Sequence, residues 1–243
     1  MNILIPMAGE GSRFKKAGYK DPKPLIEVAG KPMIKWVVDN IGIDGKYIFI
    51  VQKNHLQQYP HIEGELMKVA ENVEVLTVDG LTEGAACTVL TAKESIDNDE
   101  PLLICNSDQW IDWDSKHFMR FVKRKDCDGA LLTFFSDSPK HSYARYNYHT
   151  RLVTETAEKQ VISNFATVGI YYWKTGASFV ECANKMIEKN IRVNNEFYLC
   201  PVYNELIFGK GGDVHLYPVC EMRGMGTPDE LNRFLRLLET EGV

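Results

Sequence analysis

The chain lacks most of what would tie it to a membrane, a disulfide framework or a zinc centre. Its longest stretch without a formal charge, Gln160 to Trp173, is 14 residues long and includes polar Ser163, Asn164 and Thr167, which is too short and too polar to span a bilayer. The six cysteines lie 18 to 55 residues apart with no Cys-x-x-Cys pair, and the six histidines show no zinc-like spacing. The cysteines are therefore expected as buried small hydrophobes in a reducing compartment. No internal repeat, low-complexity segment or linker occurs, and the chain opens on an apolar strand with no basic and apolar leader, which predicts a cytoplasmic protein. Positive charge is not in excess either: a net charge of −5 argues against a general affinity for nucleic acid or acidic membranes. Two nucleotide-binding motifs are missing. Phe14 stands where the third glycine of a dinucleotide fingerprint belongs after Gly9-x-Gly11, and no Gly-Lys-Ser/Thr follows to make a Walker A loop.

What is present is enough for a large core: 243 residues, 44% hydrophobic and 25% charged, within the range of one α/β domain. Strand-like runs at 3–7, Tyr47–Val51, Val73–Val78, Leu102–Asn106 and Ala130–Phe135 alternate with helical patterns. These fall at Pro32–Ile41, around Ile62–Ala70, at Gly84–Ser95 and at Ser115–Arg124. Alternation of this kind predicts right-handed βαβ units and an α/β fold with a mostly parallel or mixed central sheet and helices on both faces. Tyr143–Tyr148, Leu152–Thr156 and Ala166–Trp173 read as further strands of a mixed second half. The expected organisation is one domain over 1–243, with a nucleotide-binding half at about 1–135 and an acceptor-binding half at about 136–243.

The richest segment is the first. Ile3-Leu4-Ile5 runs into Pro6-Met7-Ala8-Gly9-Glu10-Gly11-Ser12-Arg13, then Asp21-Pro22-Lys23-Pro24 and Gly30-Lys31-Pro32-Met33. Two glycines one residue apart let backbone N–H groups approach an anion, and Arg13 adds a planar fork of donors suited to phosphate. Prolines on both sides of Lys23 predict extended backbone there. Residues 1–31 hold six Lys/Arg against three acids, so a local anion site sits in an acidic chain.

Ligands in open α/β sheets bind at the carboxyl ends of strands, and three such loops carry chemistry. In Asp79-Gly80-Leu81-Thr82-Glu83-Gly84-Ala85-Ala86 a base could lie flat on Gly84 and Ala85, or the loop could simply start a helix. Asp108 ends the apolar strand Leu103–Cys105, where a carboxylate is costly unless paired or bound to metal, making it an Mg²⁺ candidate; capping the next turn is the alternative. Asp112 and Asp114 are expected to cap the helix near Ser115, with Asp112 also available as a second carboxylate. Thr227-Pro228-Asp229-Glu230 has the pattern of a capping box with proline at the first helical position.

Taken in order, Gly-x-Gly-x-Arg, Pro-Lys-Pro and Lys-Pro-Met resemble the signature of the sugar-phosphate nucleotidyltransferases, the nucleoside-diphosphate-sugar pyrophosphorylases. The resemblance implies a Rossmann-like, GT-A-like nucleotidyltransferase fold. It also implies a reaction that joins a nucleoside triphosphate to a phosphorylated small molecule, foremost a sugar 1-phosphate, with release of pyrophosphate and with Mg²⁺ as cofactor. Ala8, Gly9, Gly11 and Arg13 would then hold the triphosphate, Lys23 would lie near the reacting phosphates, Gly84 and Ala85 would meet the base, and Asp108 would bind the metal. Lys159 would bind the acceptor phosphate, unless it is only an exposed charge at a turn, and Glu196 would contact acceptor hydroxyls. Tyr143-Ala144-Arg145 would form a pocket wall where the family often has a glycine, with Arg145 either marking an acceptor with an extra carboxylate or phosphate or pointing to water. Two departures matter: the family's loop threonine is replaced by Ala85, and its second metal aspartate by Gly224. A pyrimidine triphosphate, UTP or CTP, is favoured. A cytidylyltransferase acting on a non-sugar phosphate ester, a GT-A-type glycosyltransferase and a non-catalytic nucleotide-binding module remain open, as does a homo-oligomer.

Overall fold

The computed structural model describes residues 1–241. Its strands are β1 (Asn2–Pro6), β2 (Glu27–Val28), β3 (Lys31–Pro32), β4 (Lys46–Gln52), β5 (Val73–Val78), β6 (Leu102–Cys105), β7 (Gln109–Asp112), β8 (Gly129–Phe135), β9 (Ser142–Asn147), β10 (Leu152–Glu158), β11 (Phe165–Trp173), β12 (Val214–Pro218) and β13 (Glu221–Gly224). Nine of them form one sheet, ordered β10-β9-β11-β6-β1-β4-β5 with β8 beside β11 and β12 beside β8. The pairs β6-β1, β1-β4 and β4-β5 are parallel, as alternation with helices requires, whereas β11 runs antiparallel to β6, β8 and β9. The sheet is thus mixed: β6, β1, β4 and β5 form an all-parallel part, and beyond the antiparallel β6-β11 step only β12 and β8 pair in parallel.

Both faces of the sheet are covered. Ile3, Ile5, Phe49, Val51, Leu103 and Cys105 enter one core, while Leu4, Ile48, Ile50, Leu102 and Ile104 enter the other. Side chains alternate across a strand, so a strand buried on both faces must be apolar at every position. That is why β1, β4 and β6 read as continuous apolar runs. The helix Met33–Ile41 buries Met33, Ile34, Val37, Val38 and Ile41, and ends at Gly42, whose N–H donates to Val38 O at 3.1 Å.

Several local expectations are corrected. The helix read over Gly84–Ser95 is two, Ala85–Leu90 and Lys93–Ile96. The Thr88 hydroxyl donates to Gly84 O at 3.3 Å and that of Thr91 to Thr88 O at 2.7 Å, the kind of local side-chain bond that competes with a continuous helix. Asp112 does not cap the helix Ser115–Lys125. It lies exposed in β7, opposite Glu221 of β13, and Asp114 alone supplies the cap, accepting from His117 N–H at 2.8 Å. The extended residue of Pro-Lys-Pro is Pro22 (φ −62°, ψ 144°), and Lys23 opens a short 3₁₀ turn, Lys23–Leu25. Four cysteines are buried, but Cys87 is half-buried and Cys220 exposed, and all six are free thiols. The helix Pro228–Glu241 returns to the N-terminal half, where Phe234 meets Trp36 edge-on at 5.5 Å. No helix among the described residues is long and apolar enough to cross a membrane.

Candidate active site

The loops after β1, β5 and β6 open on one cleft of about 500 Å³. Ala8, Gly9, Gly11, Arg13, Lys23, Gly84, Ala85, Asp108 and Glu196 all line it. The β1 loop is built for close approach. Gly11 is left-handed (φ +62°), and a Cβ on it would lie 3.3 Å from Lys23 Cβ, so the glycine loop and the Lys23 turn are packed together. Gly9 faces open space. Gln52, buried at the end of β4, donates through its amide to Ala8 O and fixes the start of the loop.

Arg13 is exposed on the short helix Ser12–Lys16, and among the described residues its guanidinium has no carboxylate partner. Lys23 Nζ, by contrast, is bonded to Asp108 Oδ2 across 85 residues of sequence. Asp108 is held by its backbone as well, since its carbonyl accepts from Met225 N–H at 2.7 Å. An acid at the end of an apolar strand therefore already faces a cation, which is the chemistry of a hard-cation donor. Among the described residues no group of three or more metal-ligating side chains converges, so a metal here would rely on phosphate oxygens and water beside one or two carboxylates, as Mg²⁺ commonly does.

The second wall depends on Gly84, at φ +130°. A Cβ there would come within 2.5 Å of both Phe197 N and Phe197 O. That closeness is used: Phe197 N–H donates to Glu83 O at 2.8 Å and Ala86 N–H to Phe197 O at 3.0 Å, so the loop is clamped to the segment that carries Glu196. Gly84→Ala is expected to destabilise the fold by about 3 kcal/mol through backbone strain and overpacking. Urea unfolding would show this as a lowered midpoint at unchanged slope, and a wild-type midpoint would refute the clamp.

Two expected acceptor residues lie outside the cleft lining. Lys159, itself left-handed (φ +53°), is bonded to the Tyr198 hydroxyl and sits 4.5 Å above that ring, while Tyr198 donates to the Glu196 carboxylate. It therefore reaches the rim through Glu196, and the bond to Tyr198 holds its ammonium above the usual lysine range. Its neighbour Glu158 is bonded to Ser142 Oγ, and burial raises its carboxyl above the ordinary range. Arg145 belongs to the β9-β10 hairpin, where it pairs with Glu155 directly opposite at 2.6 Å. It is not among the residues that line the cleft.

Residues not singled out as ligands in the sequence also line the cleft, among them Thr82, Thr88, Asn106 and Gly226. Asn106 packs on Gly169 (φ +76°), where a Cβ would fall 2.1 Å from Asn106 Nδ2. The one available signal was Gly169 inside an otherwise apolar strand, which marks close approach of another group.

A glycine-rich loop, an arginine without a carboxylate partner among the described residues and a lysine–aspartate pair meet in one cleft beyond the carboxyl ends of parallel strands of an α/β protein. The nucleotidyl transferase family model matches residues 3–201, and the chain belongs to that family. It is 28% identical over 210 residues to the bifunctional protein GlmU of Thermotoga maritima, covering 84% of this chain and 44% of that protein. To mannose-1-phosphate guanyltransferase of Aspergillus oryzae it is 26% identical over 180 residues, covering 70% of this chain and 49% of that protein. The chain thus spans less than half the length of these curated relatives. The crystal structure of a nucleoside-diphosphate-sugar pyrophosphorylase from Vibrio cholerae RC9 superimposes with a TM-score of 0.79 at 27% identity, covering 96% of this chain and 99% of that one. A UDP-glucose pyrophosphorylase complexed with UDP-glucose shares the fold, with a TM-score of 0.75 at 17% identity and 99% and 98% of the two chains covered.

Proposed function

We propose that this chain is an enzyme, a nucleotidyltransferase that joins a nucleoside triphosphate to a phosphorylated small molecule, foremost a sugar 1-phosphate, and releases pyrophosphate. The observation that carries this reading is the convergence of the Gly9–Gly11 loop, Arg13, Lys23 and Asp108 on one cleft. The names of two relatives, a mannose-1-phosphate guanyltransferase and a nucleoside-diphosphate-sugar pyrophosphorylase, support it. An oxygen of the acceptor phosphate attacks the α-phosphorus, the bond from that phosphorus to the bridging oxygen breaks, and the electron pair leaves with pyrophosphate. No covalent nucleophile on the protein is needed. The barrier is largely one of bringing two polyanions together, so fixed cations and alignment supply the catalysis.

Arg13 and the amides of Gly9 and Gly11 hold the leaving phosphates, and Lys23 neutralises charge at the α-phosphate. Gly84 and Ala85 support the base. Glu196 accepts from acceptor hydroxyls, and Lys159, steered by Tyr198, orients the acceptor phosphate. Asp108 fits a divalent cation because it is a strand-end carboxylate that already attracts an ammonium. Asp108 would hold Mg²⁺ at this point, and the ion would supply positive charge that offsets the phosphates. We assign the nucleotide half to about residues 1–135 and the acceptor half to about 136–243 of a single cytoplasmic domain, with the C-terminal helix returning to the first half.

The test is a matrix of five nucleoside triphosphates against phosphorylated acceptors, scored by pyrophosphate release, with UTP and CTP as the favoured donors. Release that depends on one triphosphate and one acceptor class is expected. Triphosphate binding without release against every acceptor would overturn the catalytic reading, and sugar transfer from a nucleoside diphosphate sugar without pyrophosphate would replace it with a glycosyltransferase.

A further inference from the structure

The start of the helix Pro228–Glu241 holds a carboxylate that its sequence pattern does not explain. Thr227 and Glu230 have the spacing of a capping box, in which the glutamate reaches back to the N-cap N–H. Only half of that box is made: Glu230 N–H donates to Thr227 Oγ1 at 3.2 Å, and among the described residues the Glu230 carboxylate accepts no hydrogen bond and joins no ion pair. The side chain is partly buried.

Its surroundings give it another use. A Cβ on Gly226 would lie 2.7 Å from Asp108 Oδ2 and 3.4 Å from Glu230 Oε2, so both carboxylates face the bare backbone of one glycine. A Cβ on Gly224 would meet Glu230 Cδ at 3.4 Å and Oε2 at 3.5 Å, so the glutamate fills the space into which a side chain at 224 would grow. Gly226 itself lines the cleft with Asp108 and Lys23. Glu230 itself is not among the residues that line the cleft and approaches it behind Gly226, whereas Asp112, the other carboxylate the sequence offered, is exposed in β7 opposite Glu221 and is not among the groups nearest either glycine.

We propose that Glu230 is the second protein carboxylate for the divalent cation, completing from the C-terminal helix a site that Asp108 begins; this rests on the metal reading of Asp108 given above. Two carboxylates plus substrate phosphates and water form an ordinary Mg²⁺ donor set. The glycines at 224 and 226 are then a pair of omissions, one leaving room for the glutamate and the other leaving both carboxylates open to the same ion.

The test is Mn²⁺ titration, read by electron paramagnetic resonance of the free ion, on protein saturated with a non-hydrolysable triphosphate. Wild type is compared with Asp108→Asn, Glu230→Gln and the double variant Glu230→Ala/Gly224→Asp, in which the shortened residue 230 vacates the space beside position 224. Glutamine keeps the N3 residue type of a capping box, and an unchanged urea midpoint confirms that the helix start is intact. Glu230→Gln is expected to weaken Mn²⁺ binding roughly tenfold, in line with the usual sensitivity of metal affinity to its supporting carboxylates, and the added aspartate at 224 is expected to restore it. Wild-type Mn²⁺ affinity in Glu230→Gln, with loss in Asp108→Asn, would overturn the role of Glu230 and leave that of Asp108 standing. Unchanged affinity in both would remove the metal reading itself.

Discussion

Lys23→Ala and, separately, Arg13→Ala are expected to lower turnover by at least ~10²-fold, since each removes charge stabilisation of the transition state worth about 3 kcal/mol. The two variants should differ in every other respect. Arg13 is exposed and makes no ion pair among the described residues, so its removal should leave the melting temperature unchanged. Lys23 neutralises Asp108, and its loss leaves a partly buried carboxylate without its ammonium, so the melting temperature should fall in metal-free buffer. Steady-state pyrophosphate release together with thermal melts separates the two effects. Near-normal turnover in either variant would remove that residue from the mechanism.

Asp108→Asn is expected to abolish metal-dependent turnover. The amide keeps the shape and can still accept from Lys23, but it lacks the charge that holds a hard cation. Chelation of wild-type protein with EDTA should produce the same loss, reversed by Mg²⁺. Turnover that persists in EDTA, or an Asn variant with wild-type rates, would place the chemistry on Arg13 and Lys23 without a metal.

How far the chain could be read without coordinates depends on whether a feature is local. Strands β1, β4 and β6 were legible because burial on both faces demands an apolar residue at every position, and a run such as Tyr47–Val51 has no other economical reading. The glycine loop, Arg13 and Lys23 were legible for a similar reason: spacing over about twenty residues encodes one short anion site. The pairing of β7 with β13 was not, because two four-residue segments more than a hundred positions apart carry no mutual signal. Nor was the antiparallel placement of β11 against β6.

The sequence by itself determined the α/β class, the apolar strands and the cationic loop, all of which follow from side-chain period and backbone preference within short windows. Only the tertiary structure decided which distant groups meet. It set Lys23 against Asp108, clamped Gly84 to Phe197, tied Lys159 to Tyr198 and Glu196, and sent Arg145 to Glu155 instead of the cleft. It also set the expected capping glutamate, Glu230, against Gly224 and Gly226. Such meetings depend on strand order, register and the angle of packing, and these are settled by the summed burial of two cores, which no single motif contains.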